Sequence, residues 1–209
     1  MGTIKQGILG GFSGKTGTVI GASWKGINYM RGIAASISNP RTAGQLEQRA
    51  KFSAVIEFLK PLTSFLRIGF QSQAIKMSAF NAAMSYNLGN AITGIYPAFE
   101  IDYTKAVISQ GTLPEALNPA VVASATGKIK FTWEDNSTDA DAMALLVVYN
   151  PVRQKSVSVV AGNIRAGGSQ IITVPASFTG DEVQCYISFQ NAKGSDVSNS
   201  QSVGSLMVL

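Results

Sequence analysis

The sequence predicts an α+β fold: an N-terminal glycine-rich β-hairpin plus amphipathic helices, followed by a seven-stranded β-sandwich. Three observations predict it. Residues 1–38 combine many glycines with two short runs of β-branched and aromatic residues. Residues 42–88 carry apolar side chains at helical spacing. From Val121 onward, short strand-like runs recur with turn signals between them. The expected organisation is a hairpin arm and helical domain over 1–110, a linker over 111–119, and a sandwich over 120–209. With 209 residues and 45% hydrophobic content, the chain can build cores of that size.

The first segment contains GGFSGKTGTVIG, residues 10–21, whose Gly14-Lys15-Thr16 resembles the end of a phosphate-binding loop. That loop needs a glycine five positions before Gly14, where Leu9 stands, and a helix after it. The run Thr18-Val19-Ile20-Gly21-Ala22 instead reads as a strand. The favoured reading is a glycine turn into a hairpin, with strands Thr16–Trp24 and Ile27–Ile33 joined around Lys25-Gly26. A lone hairpin is marginal in water, so it needs a partner. That partner is either a strand of its own chain near Glu100–Ser109 or a neighbouring subunit. Val19, Ile20, Trp24, Ile27, Tyr29 and Ile33 are therefore the candidate subunit-interface residues.

Asn39-Pro40 ends the strand region, and Thr42 with Gln45 forms a capping box for a helix. Phe52, Val55, Ile56 and Leu59 fall on one face, which is expected to point inward. Pro61 interrupts the helix, and Leu62, Phe65 and Leu66 resume its spacing. A further helix is expected from Ser78 to about Leu88, with Phe80, Ala83, Met84 and Leu88 inward. Phe99–Ser109 alternates as a strand, and Gly111–Pro119, with two prolines and no period, reads as the linker. The sandwich strands are expected at Val121–Ala125, Lys128–Glu134, Ala142–Tyr149, Lys155–Ala161, Gln170–Val174, Glu182–Gln190 and Ser198–Val208.

Within that last part, FTWEDNS and VQCYISFQNAKGSDVSNS resemble fibronectin type III domains. Trp133 stands in place of the buried tryptophan and Tyr186 in place of the late-strand tyrosine. The resemblance implies a fibronectin III/Ig-like sandwich. GKTGTVIGASWKGINYMRG followed by NPRTAGQLEQRAKF is similar to an uncharacterised Bacteroides-type family known only as a domain of unknown function. The hairpin, NPRT and QRAKF also resemble small phage and prophage virion proteins, whose glycine-rich arms embrace neighbouring subunits. No catalytic residue comes with any of these resemblances.

Composition removes whole classes of chemistry. The chain has no histidine and a single cysteine, Cys185. Internal disulfides, imidazole or thiolate zinc sites, and histidine-based nucleophile activation are therefore excluded. Cys185, in an alternating run, reads as a buried hydrophobe. The acidic stretch from Glu134 to Asp141 has oxygen ligands suited to calcium but lacks an EF-hand's spacing, so a solvated loop is favoured. No cofactor or metal is expected.

No run of about eighteen apolar residues is present, which argues against membrane insertion, and no signal peptide is evident. The expectation is cytoplasmic synthesis, with a virion or extracellular particle as a destination. Residues 1–70 hold nine Lys/Arg against two Glu, and the rest hold eight against ten acidic residues. Lys15, Lys25, Arg31 and Arg41 are the basic-surface candidates. They are spaced singly and interleaved only with Trp24 and Tyr29, so solubility is favoured over nucleic-acid binding.

The leading expectation is a non-enzymatic structural or assembly protein of a phage- or prophage-like virion. It would form a homo-oligomer through its N-terminal arm, with other structural subunits as further partners. The alternative is a binding module that recognises a glycan or protein through the sandwich loops; an enzyme is least favoured.

Overall fold

A computed structural model describes residues 2–4, 10–24, 26–36, 39, 41–135 and 139–209. The chain divides into two compact units, Met1–Thr42 and Ala43–Leu209.

The first unit is one antiparallel sheet of β1 (Thr3–Ile4), β2 (Phe12–Thr16), β3 (Val19–Trp24) and β4 (Ile27–Gly32), in that spatial order. The register pairs Thr16 with Val19, Val19 with Gly32, and Trp24 with Ile27. Gly17 opens the β2–β3 turn at φ 58°, a left-handed conformation that costs a glycine little. Gly21 is required by packing: a Cβ there would collide with the Phe12 carbonyl and ring.

The second unit begins with α1 (Ala43–Leu59), a 3₁₀ turn at Lys60–Leu62 containing Pro61, α2 (Thr63–Gly69) and α3 (Ala79–Asn90). Ser78 caps α3, its hydroxyl accepting from the Asn81 N–H at 3.1 Å. A small hairpin comes next, β5 (Ile92–Ile95) and β6 (Ala98–Ile101). The remaining strands are β7 (Leu117–Ala125), β8 (Lys128–Glu134), β9 (Met143–Asn150), β10 (Lys155–Val159), β11 (Ser169–Thr173), β12 (Glu182–Gln190) and β13 (Gln201–Met207). They form two antiparallel sheets, β10-β9-β12-β13 and β11-β8-β7.

Two apolar cores lie on opposite faces of the four-stranded sheet. Leu146 and Val148 of β9 and Cys185, Ile187 and Phe189 of β12 pack with Ile129, Phe131 and Trp133 of β8. The alternate residues, Leu145, Val147, Tyr149 and Tyr186, pack with the helices. Phe58 meets the Tyr149 ring edge-on at 5.1 Å, and the Tyr186 hydroxyl donates to the Tyr103 carbonyl at 2.8 Å. The second unit thus has three layers: helices, the β9 sheet and the β8 sheet.

This arrangement corrects three expectations. The inward face of α1 is Val55, Phe58 and Leu59, whereas Phe52 and Ile56 are exposed. Both stripes satisfy helical spacing; Phe58 selects the observed one by fitting between Tyr103 and Tyr149. Phe52 and Ile56 instead line a groove of about 540 Å³ with Phe80, Met84 and Leu88.

The expected strand Phe99–Ser109 stops at Ile101. Beyond it, side chains replace the ladder: Asn87 both donates to the Val107 carbonyl at 2.8 Å and accepts from its N–H at 3.0 Å. The Ser200 hydroxyl accepts from the Ile108 N–H at 2.9 Å.

The expected linker is not where the compact units part. Residues 111–119 are tied to the sandwich: Leu113 bridges to Ser198, and Thr112 hydrogen-bonds Asp196. The fully buried Arg165 donates to the carbonyls of Pro114 at 2.7 Å and Glu115 at 3.0 Å. Its guanidinium lies 4.0 Å from the centre of the Phe189 ring, and its own carbonyl accepts from Trp133 Nε1 at 2.7 Å.

Candidate functional site

The candidate residues named from sequence lie in the first unit, and strand pairing decides which of them share a face. Directly paired residues in an antiparallel sheet point to the same side, and neighbours along a strand to opposite sides. Lys15 pairs with Ile20, and Ile20 with Arg31, so these three form one row. Ala22 pairs with Tyr29 in the next row, and Trp24 with Ile27 in the one after. One face therefore carries Lys15, Ile20, Trp24, Ile27, Tyr29 and Arg31.

Val19 lies on the opposite face, with Phe12 and Met30. Ile33 comes directly after β4 and donates its N–H to the Thr18 carbonyl at 2.9 Å. Arg41 is exposed outside regular structure, and Lys25 lies outside the described residues. Of the six interface candidates, four thus share one face, Val19 lies on the other and Ile33 follows the sheet, while two of the basic candidates join the four.

The face is exposed. Trp24 retains 62% of its surface, Ile27 66% and Tyr29 45%. Among the described residues up to Thr42, only Gly21 is buried. Lys15 sits inside a strand, and its segment turns at Gly17-Thr18 into β3 rather than opening a helix. Among the described residues β4 is paired on one side only, with β3.

Cys185 is buried, and burial pushes its thiol up to about 12, so it stays protonated at neutral pH. Among the described residues no group of three acidic, cysteine or histidine side chains could hold a metal ion. Residues 136–138 of the acidic stretch lie outside the described residues. No described helix is long and apolar enough to cross a membrane.

The class defined by these features is an α+β protein with a β-sandwich body and a separate N-terminal sheet. Residues 11–204 match a family of unknown function, DUF6266, and the chain belongs to that family. No curated protein matches it. Among solved structures it is similar to the fibronectin type III domain of human collagen alpha-1(XX) chain, solved in solution, at 15% identity with a TM-score of 0.34. That likeness covers 46% of this chain and 84% of the collagen domain.

Proposed function

We propose that this protein is a structural subunit of a phage- or prophage-like particle and that it self-assembles through its N-terminal sheet. The supporting observation is that a four-stranded sheet forms a compact unit in which, among the described residues, only Gly21 is buried. A sheet gains stability by covering a face or pairing an edge. β4 forms one edge of that sheet and, among the described residues, is open on its outer side. Because Ile33 bonds inward to Thr18, alternation turns the N–H and C=O groups of Asn28, Met30 and Gly32 outward.

A strand from a neighbouring copy added there would satisfy those groups. The face with Phe12, Val19 and Met30 would pack against the same neighbour. The body is read as a fibronectin III/Ig-like sandwich that serves as a non-enzymatic module.

Light scattering on the purified chain tests this reading. A defined oligomer is expected for the full chain. A lower-order species is expected both for Met30→Pro, which removes an outward donor at an edge position that tolerates proline, and for removal of residues 1–42. A full-length chain that remains monomeric at high concentration overturns the proposal.

A further inference from the structure

We infer that the sheet face formed by Lys15, Ile20, Trp24, Ile27, Tyr29 and Arg31 is a binding platform for single-stranded nucleic acid. Along the sequence these residues are scattered; the sheet register gathers them into three successive rows. Two of the rows carry an aromatic ring, and the third carries two cations flanking Ile20. The rows stand roughly 7 Å apart, twice the rise per residue of a strand. Tyr29 faces Ala22 across the pair, so no bulky side chain opposes its ring, and Trp24 projects with most of its surface in solvent.

Charge points to the ligand's sign. Residues 1–42 contain five Lys/Arg and no Asp or Glu, whereas the rest of the chain is balanced at twelve each. The first unit therefore has no internal carboxylate to neutralise Lys15 and Arg31. Cations without a carboxylate in their own unit, beside exposed rings, suit a polyanion that also has flat apolar faces to offer. Unpaired bases supply those faces for stacking, and phosphates supply the anions. A duplex presents the same phosphates but keeps its base faces stacked inside. The platform does not depend on the assembly proposed above, because strand addition engages the edge of β4 and leaves this face open.

The test uses the full chain with a fluorescein-labelled oligothymidine of about twenty nucleotides, in low salt. Saturable anisotropy is expected, weakening with salt at a log–log slope of about −1.4 for two phosphate contacts. Trp24 fluorescence should be quenched on binding; the other tryptophan, Trp133, is only 4% exposed. Trp24→Ala and Tyr29→Ala should each weaken binding by about fivefold or more, with Trp24→Phe recovering most of the loss. Arg31→Gln, on an exposed side chain whose loss leaves the backbone pairing in place, should lower the salt slope by about 0.7.

An amide spectrum that keeps its β dispersion separates lost contacts from lost structure. Absence of binding overturns the inference. So does binding unaffected by the three loss variants, equal or tighter binding to a duplex of the same length, or preference for phosphatidylserine vesicles. Light scattering in the same samples reports assembly separately, so the two proposals fail independently.

Discussion

The sheets β1-β2-β3-β4 and β10-β9-β12-β13 are both four-stranded and antiparallel, yet they treat their faces in opposite ways. In the second, every residue of β9 from Ala144 to Asn150 is buried, because one face meets the β8 sheet and the other the helices. In the first, every residue of β4 is exposed. The sequences reflect this. MALLVVYN runs apolar without alternation, as strands covered on both faces do, whereas INYMRG mixes ring, amide and cation. The comparison teaches that similar backbone pairing can serve either as the middle of a core or as a surface, and that side-chain content shows which.

The largest effect that could break this contrast comes from cutting the chain. Residues 120–209 alone are expected to lose cooperative unfolding, because Leu145, Val147, Tyr149 and Tyr186 lose their helical cover and Arg165 loses the Pro114 and Glu115 carbonyls. Removing residues 1–42 should leave the unfolding free energy of the body within about 0.5 kcal/mol, since no described residue before Val55 belongs to either core. A dispersed amide spectrum from the 120–209 fragment would show that the sandwich needs only one of its cores.

Single substitutions sharpen the point. Phe58→Ala should cost about 3–5 kcal/mol in urea unfolding, while Trp24→Ala should change the same transition by less than about 0.5 kcal/mol. Arg165→Met should cost about 1–3 kcal/mol, because it leaves the Pro114 and Glu115 carbonyls without their donor.

The smallest effect is acid-dependent and confined to the body. Hydrogen bonds from Thr104 and then Lys105 hold the Asp102 carboxyl down at about 2. Its folded value lies below the ordinary carboxylate value of about 3.9, so its contribution is present above that pH and is lost as pH falls toward 2. Asp102→Asn should flatten that part of the stability profile. An unchanged slope between pH 4 and 2 would remove Asp102 from the account.

Much of the secondary structure is legible in the sequence. Alternation marks Lys128–Glu134 and Glu182–Gln190, where strands are found, and apolar spacing marks the helix that ends before Pro61. The face of that helix is not legible, because Phe52, Val55, Ile56, Phe58 and Leu59 contain two overlapping stripes, and only the partner surface chooses between them. The segment 102–119 reads as a strand end and a linker because its backbone is held by Asn87, Ser200 and Arg165, which are remote in sequence. One signal could have corrected the boundary: the unbroken apolar run of β9 already calls for cover on both faces. For the candidate site, residue types are visible but their grouping is not. Lys15 and Arg31 are sixteen positions apart and become neighbours across Ile20 only once the register is set.

By itself the sequence determined the chemistry that is absent and the local periodicities. With no histidine and one cysteine, the available side-chain chemistry is narrow, and turns, helices and strands arise from spacing that acts over a few residues. Tertiary structure decided which surfaces cover one another. The helices and the β8 sheet share β9 and β12 between them, and the register sets Ile20, Trp24, Ile27 and Tyr29 beside Lys15 and Arg31 while Val19 goes to the other face. The physical reason is that periodicity fixes which side chains point together, whereas burial depends on the surface that arrives from a distant part of the chain.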